Sequence, residues 1–158
     1  MLDQQQFKKI ASHWASGVAI VSAAGGAEGA SGLTITSVTS LSLNPPQYLI
    51  CLDQKSATLA AIRESGMFCI NYLKHTQQAV SQVFATKNPE KLEQLTGQTA
   101  RGVPCVEDAL AIIECEVDTI HAGGDHAIII GNVLSAESEG GDPLVYFRGG
   151  YRELTQAI

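Results

Sequence analysis

Hydroxyl and apolar side chains alternate through GLTITSVTSLSLNPP, residues 32–46, more clearly than anywhere else in the chain. One parity carries Thr34, Thr36, Ser40 and Ser42, and the other carries Leu33, Ile35, Leu41 and Leu43, with a shift in the middle. A period of two is typical of a half-buried β-strand. The pattern predicts one apolar face and one hydrogen-bonding face, which suits a flat ligand rich in heteroatoms. Taken alone, the pattern favours an ordinary solvent-facing strand, because Thr suits the pleated conformation and Ser is tolerated there.

Three other segments have the three- and four-residue spacing of amphipathic helices. Residues 4–15 place Phe7, Ile10 and Trp14 on one side of the first helix. Ser56 is a suitable cap for a second helix over residues 57–64, which Gly66 is expected to end in the left-handed conformation. Residues 76–86 form the third predicted helix.

Short apolar runs between turn residues predict the remaining strands, at 18–23, 47–53, 67–73, 109–121, 127–137 and 144–148. The first of these is expected to form a hairpin with the hydroxyl-rich strand through GGAEGASG, and Asn44-Pro45-Pro46 to end that strand. AGGD, residues 122–125, is a tight hairpin signal between the two longest strands. Seven or so strands with a few short helices indicate an antiparallel barrel closed by helices.

Composition and net charge limit the kinds of partner that the protein can bind. The net charge of −6 and the pI near 5.1 argue against nucleic acid and anionic membranes as partners, because binding to them needs clustered Lys and Arg. Charged residues make up 16% of the chain, fewer than usual, which suggests that another subunit covers part of the surface. No segment approaches the roughly 20 apolar residues of a membrane span, so we expect a cytoplasmic protein. The four cysteines show no C-x-x-C spacing and are expected to be reduced thiols, mostly buried.

Two short segments contain side chains suited to chemistry. In Gly123-Gly124-Asp125-His126 an acid and an imidazole follow a glycine turn, where a ligand can approach the backbone closely. His121 lies just upstream, but no third ligand has metal-binding spacing, so no metal is expected. Residues 143–152, PLVYFRGGYR, concentrate three aromatics and two arginines. That composition suits either a planar ring with a phosphate or a subunit interface.

Six segments, in the same order, resemble the flavin reductase family with the FMN-binding split-barrel fold. They are WASGVAIVSA, GLTITSVTSLSLNPP, TLAAIRESG followed by FCIN, VSQVFA, AGGDH with IIIGNV, and DPLVYFRGGYREL. The resemblance runs from Phe7 to Leu154 and is specific because the order is kept. It implies a mainly β fold, an antiparallel Greek-key split barrel with flanking helices, in a single domain over residues 1–158.

The resemblance also implies which residues bind nucleotides. The flavin ring would lie against the hydroxyl-rich strand, with its phosphate at the start of the second helix, where the helix dipole favours an anion. The residues implied for the flavin are Thr34, Thr36, Ser37, Ser40, Leu41, Cys51, Leu52, Asp53, Lys55, Ser56, Asn71, Phe84 and Lys91. Those implied for the nicotinamide nucleotide are Gly124, Asp125, His126, Tyr146 and Tyr151, with His126 as the catalytic residue that orients the nicotinamide.

The implied reaction is hydride transfer from NADH or NADPH to FMN or FAD, which supplies reduced flavin to a partner monooxygenase. An open flavin cleft and the low charge content together predict a homodimer. The chain departs from the family at Ile35, where Ala is usual, at Leu92, often an aromatic, and at Lys55, commonly Arg. Two alternatives stay open: a non-enzymatic FMN-binding split-barrel protein, and a flavin oxidase of the pyridoxine-phosphate type.

Overall fold

The computed structural model describes residues 2–25, 29–87 and 89–155. The helices are α1 (Gln4–Ala11), α2 (Ala57–Ser65) and α3 (Gln78–Phe84), with 3₁₀ turns at His75–Gln77 and Pro89–Gln94. The strands are β1 (Ser16–Gly17), β2 (Ala19–Ala24), β3 (Ala30–Ile35), β4 (Val38–Leu43), β5 (Pro46–Asp53), β6 (Met67–Tyr72), β7 (Gly97–Gln98), β8 (Pro104–Cys105), β9 (Ala111–Gly123), β10 (His126–Ser138), β11 (Val145–Phe147) and β12 (Gly150–Arg152). Part of the predicted GGAEGASG turn, residues 26–28, lies outside the described residues.

Seven strands form one antiparallel sheet in the order β3-β2-β6-β9-β10-β5-β4. The edge strands β3 and β4 are separated along the chain only by Thr36 and Ser37. In a flat sheet these edges would lie about 29 Å apart, because neighbouring strands are about 4.8 Å apart. A link of two residues reaches only about 10 Å. The sheet must therefore curl into a barrel whose seam lies between β3 and β4, which confirms the predicted fold class.

The barrel interior is apolar and tightly packed. One cluster of buried side chains, which includes Ile50, Phe68 and Ile129, draws on six strands of the barrel and on α2. Gly131 on β10 is essential to this packing, since a Cβ there would lie 2.5 Å from Cζ of Phe68. The second helix is confirmed with its cap at Ser56 and with Gly66 left-handed at its end.

A smaller sheet, β1-β11-β12, lies beside the barrel. The sequence predicted β11 but not β1 or β12, which are only two and three residues long. Arg148 and Gly149, both with positive φ, turn the chain between β11 and β12. The resulting C-terminal hairpin holds Tyr146 directly opposite Tyr151.

Two predictions from periodicity are wrong in detail. The hydroxyl-rich segment is two strands rather than one, and the pairing of β4 with β5 shifts register between Ser40 and Ser42. As a result Leu41 and Leu43, predicted to be on an apolar buried face, are 43% and 96% exposed. Helix α1 is amphipathic as predicted but ends at Ala11, four residues early, and none of its residues is buried.

Two further observations concern the whole described chain. No helix in residues 2–25, 29–87 or 89–155 is long and apolar enough to cross a membrane. All four cysteines are free, as predicted, with Cys51 half-buried and the other three buried. Burial raises the pKa of the Cys115 thiol to about 12.

Candidate functional site

The first candidate region is a cavity of about 260 Å³ between β3, α3 and the C-terminal hairpin. It is lined by Val18, Thr34, Ile35, Thr36, Ser81, Ala85, Tyr146 and Tyr151. The cavity thus brings together Thr34 and Thr36, implied for the flavin, with Tyr146 and Tyr151, implied for the nicotinamide nucleotide. Its lining residues are all uncharged, and most of them carry a hydroxyl. Such a lining fits a planar heteroaromatic ring.

Hydrogen bonds order this cavity. The Thr34 hydroxyl donates to the main-chain carbonyl of Ser81 at 2.6 Å. The Ser81 hydroxyl in turn lies 2.8 Å from the Tyr151 hydroxyl. Tyr146 and Tyr151 meet edge to face, with ring centroids 5.6 Å apart. Within the described chain the hydroxyl of Thr36 has no hydrogen-bond partner, so it is available to a ligand.

The second candidate region is a strip along β5 next to the seam. Ser37 and Cys51 bond reciprocally across it: the Ser37 hydroxyl donates to the Cys51 carbonyl at 2.8 Å, and the Cys51 amide donates to the Ser37 carbonyl at 3.2 Å. Asp53 is exposed and pairs across the sheet with His126. Leu52 is 1% exposed and packs in the barrel core, so only its main chain can face a ligand. Ser40, also implied for the flavin, is exposed on β4.

The start of α2 was expected to hold a phosphate. The Ser56 hydroxyl already accepts hydrogen bonds from the amides of Thr58 and Leu59, at 3.2 and 3.4 Å. The amide of Lys55 donates to the Asp53 carboxylate at 2.7 Å. Ser56 is therefore occupied as a helix cap, and the exposed Lys55 side chain is the group there that is suited to an anion.

The turn between β9 and β10 holds the predicted catalytic imidazole. Gly124 has a φ of +67°, and Nδ1 of His126 lies 2.7 Å from an Asp125 carboxylate oxygen. This hydrogen bond lowers the pKa of Asp125. Gln54, which the sequence did not single out, anchors the turn: its amide donates to the Asp125 carbonyl and its side chain to the His126 carbonyl, both at 3.0 Å. The imidazole is thus oriented while its side chain stays 45% exposed.

The structure does not bring Asn71 to either region. Its side chain is fully buried, where its amide nitrogen donates to the Ile20 carbonyl and the Ser22 hydroxyl, each at 3.0 Å. Its amide oxygen accepts from the Val106 amide at 2.8 Å. Because the polar atoms of the Asn71 side chain already have partners inside the protein, this structure leaves none of them free for a flavin.

Phe84 and Lys91 also lie apart from the cavity lining. Phe84 is 2% exposed and packs so closely on Gly32 that a Cβ there would lie 2.8 Å from Cε1 of Phe84. It supports β3 from behind and has no exposed face for a ligand. Lys91 is half-buried in the second 3₁₀ turn and lines neither the cavity of about 260 Å³ nor the cavity beside His126.

A buried carboxylate lies outside both regions and was not predicted. Glu114 on β9 is 1% exposed and accepts hydrogen bonds from Thr99, Ser135 and Arg101, at 2.7, 2.8 and 3.0 Å. Burial raises its pKa, but these three hydrogen bonds outweigh burial, and the net result is a lowered pKa. Its position inside the apolar run AIIECEV is the signal that could have identified it.

Comparison with known proteins matches nearly the whole chain to one family. Residues 11–155 match the family model described as the flavin reductase like domain. The reductase component of a 4-nitrophenol 4-monooxygenase/4-nitrocatechol 2-monooxygenase from Rhodococcus opacus is 40% identical over 149 residues, covering 94% of this chain and 80% of its own. That of a 4-hydroxyphenylacetate 3-monooxygenase from Thermus thermophilus is 36% identical, with 96% and 97% covered. The crystal structure of BorF, the flavin reductase component of a bacterial two-component tryptophan halogenase, matches with a TM-score of 0.88 and 33% identity over 98% of this chain and 100% of its own.

Proposed function

Because this chain belongs to the flavin reductase family and is a flavin-reducing enzyme, we propose that it transfers hydride from NADH or NADPH to FMN or FAD and releases the reduced flavin to an oxygenase. The similar proteins named above are reductase components, which favours this activity over a non-enzymatic flavin carrier or a pyridoxine-phosphate-type oxidase. In this reaction flavin is a substrate that arrives oxidised and leaves reduced.

One observation carries the proposed geometry. Thr34, on the strand proposed for the flavin, and Thr36, just after it, border the same cavity as Tyr146 and Tyr151, proposed for the nicotinamide nucleotide. Hydride transfer requires the two rings to stack with reacting atoms about 3–3.5 Å apart. A cavity bordered by both sets of residues supports such stacking.

The chemistry belongs to the two nucleotides: the hydride leaves C4 of the nicotinamide with its electron pair, N5 of the flavin accepts it, and solvent supplies one proton. The protein's residues position the rings and exclude water. The Thr36 hydroxyl forms a hydrogen bond with the edge of the flavin ring, and the positive charge of Lys55 attracts the flavin phosphate. No side chain has to act as an acid or a base.

His126 is proposed to orient the nicotinamide rather than to shuttle a proton. Asp125 holds one ring nitrogen at 2.7 Å, so the other nitrogen is the one that can face a ligand. The cavity beside His126, also bordered by Phe7 and Lys8 of α1, measures about 700 Å³ and shares no lining residue with the cavity of about 260 Å³, so His126 would act on the nucleotide from outside that smaller cavity.

We also propose that the enzyme is a cytoplasmic homodimer. Helix α1 has no buried residue, and Phe7, Ile10 and Trp14 are 62%, 63% and 82% exposed. Apolar side chains exposed on α1 and just after it are costly in water, and a second copy of the chain would cover them. The four free thiols support a location in a reducing compartment.

The experiment that tests the activity follows NADH and NADPH consumption by the purified protein with FMN, FAD and riboflavin in turn. We expect the protein to accelerate consumption with at least one flavin and to prefer one nicotinamide nucleotide. A rate equal to that of the protein-free mixture with all six pairs would overturn the proposal.

A further inference from the structure

Ser81 on α3 is fully buried, although serine is usually found at the surface. Its carbonyl accepts the hydroxyl of Thr34 at 2.6 Å, and its hydroxyl lies 2.8 Å from that of Tyr151. Ser81 therefore contacts both the strand proposed for the flavin and a tyrosine proposed for the nicotinamide.

Ser81 is held firmly with respect to β3. Phe84, one helical turn further along α3, packs against Gly32 of β3 with no room for a Cβ between them. This contact and the Thr34 hydrogen bond fix the distance between α3 and the barrel wall. Ser81 can thus act as a fixed point for whatever its hydroxyl binds.

Tyr151 belongs to the separate three-stranded sheet, so its position relative to the barrel depends on contacts between the two. The hydrogen bond to Ser81 is such a contact, and both residues line the cavity of about 260 Å³. Tyr146 packs edge to face on Tyr151, at an angle of 69° between the rings. A shift of Tyr151 would therefore be passed on to Tyr146.

We propose that Ser81 is a positioning residue for hydride transfer, whose hydroxyl holds Tyr151, and through it Tyr146, at a set separation from the flavin-binding strand. This inference rests on the function proposed above. Ser81 touches no reacting atom itself. Its effect arises because hydride transfer loses rate steeply when the two rings are misplaced.

The test compares Ser81→Ala with Tyr151→Phe, which remove the same hydrogen bond from opposite sides. Ser81→Ala keeps the carbonyl that binds Thr34, so the flavin wall is left intact. We expect either substitution to slow anaerobic reduction of FMN by NADH about fivefold to tenfold, with the FMN KM changed by less than about twofold. The double variant should be no slower than either single variant, since one interaction is lost in all three.

A matched control is Thr86→Ala, which removes a hydroxyl just after α3 that donates only to the nearby Val83 carbonyl. It should leave the reduction rate unchanged. The positioning role would be overturned if the losses of reduction rate in the two single variants added in the double variant. It would also be overturned if the variants had a lowered melting temperature but an unchanged reduction rate per folded protein. If the unmodified protein reduces no flavin, the proposed function itself fails, so the two failures are distinguishable.

Discussion

Ser37 and Cys51 are joined by two hydrogen bonds, one from the Ser37 hydroxyl at 2.8 Å and one from the Cys51 amide at 3.2 Å. This pair extends the β4–β5 ladder into the link that joins the edge strands of the barrel. The Ser37 hydroxyl is thus used within the protein, whereas that of Thr36, its neighbour, has no partner within the described chain. Adjacent hydroxyls in the same motif therefore have different roles.

Replacing Thr36 by Val should raise the KM for flavin about fivefold, because one hydrogen bond to a ligand contributes on the order of 1 kcal/mol. Ser37→Ala is the matched control. It should change the flavin KM by less than about twofold and lower the free energy of unfolding by about 0.5–1 kcal/mol. Steady-state kinetics and urea denaturation measure the two effects. Equal KM changes in both variants would contradict this assignment.

Lys55 and Ser56 offer a second contrast. Lys55→Gln should raise the KM for FMN about three- to tenfold, since it removes the positive charge next to the proposed phosphate position. The KM for riboflavin, which carries no phosphate, should not change. Lys87→Gln, a substitution of another exposed lysine, should affect neither. An equal rise in KM for both flavins would exclude Lys55 as the phosphate ligand.

Ser56→Ala should act on stability instead. Its hydroxyl caps α2, and removing such a cap costs about 1 kcal/mol in free energy of unfolding. The KM for FMN should stay within about twofold of that of the unmodified protein, because a capping hydroxyl has little left to offer a ligand. A large KM change with no loss of stability would reverse the roles assigned to Lys55 and Ser56.

The local signals at α2 explain why this part of the molecule was predictable from sequence. A capping serine, an apolar period and a terminal glycine act within a few residues of one another, so the helix bounds and the Ser56 cap followed directly. The break at Thr36 and Ser37 is marked in the sequence only by the shift in the alternation, with no turn residue to locate it. It is imposed by closure of the barrel, which depends on strands far away in sequence.

Similar reasons explain why the structure places some of the implied residues away from the cavity. Asn71 and Phe84 belong to motifs typical of the family, but a motif does not reveal whether a side chain turns toward the groove or into the core. The exposure of Leu43 depends on the shift of register in β4, which alternation alone cannot locate. Ser81 and Gln54 bond to residues far along the chain, and only the fold brings those partners together.

His126 gives a kinetic prediction. His126→Ala should slow anaerobic flavin reduction about tenfold without abolishing it, because the residue orients a ring and transfers no proton. Asp125→Asn should have a smaller effect in the same direction. His121→Ala, which removes an exposed imidazole from the adjacent strand, is the control and should have no effect. Unchanged reduction by the His126 variant at limiting NADH would remove His126 from the site.

Glu114 predicts how stability depends on pH. Its pKa is lowered in the folded protein, so its stabilising contribution is complete above its ordinary pKa of 4.5 and is lost as the pH falls below that value. Glu114→Gln should lower the free energy of unfolding by about 1–3 kcal/mol at neutral pH. It should also make the free energy of unfolding less dependent on pH in the acid range. Glu139→Gln, at an exposed carboxylate paired with Lys74, should cost far less. Urea denaturation over a pH series tests both variants, and an unchanged acid profile in Glu114→Gln would contradict the assignment.

The exposed face of α1 predicts the oligomeric state. Sedimentation velocity should show a dimer for the unmodified protein and dissociation for Ile10→Glu, which places a charge on the apolar face of the helix. Lys9→Glu, a charge change on the neighbouring outer side, should leave the dimer intact. An active monomer at all concentrations would contradict the proposed homodimer.

The most direct test of the account is a crystal structure of the protein with FMN and NAD⁺ bound. We expect the flavin ring against β3, within hydrogen-bonding distance of the Thr36 hydroxyl, and the nicotinamide ring between the flavin and Tyr151. A flavin bound elsewhere, with the cavity between Thr36 and Tyr151 empty or closed by protein side chains, would contradict the central claim.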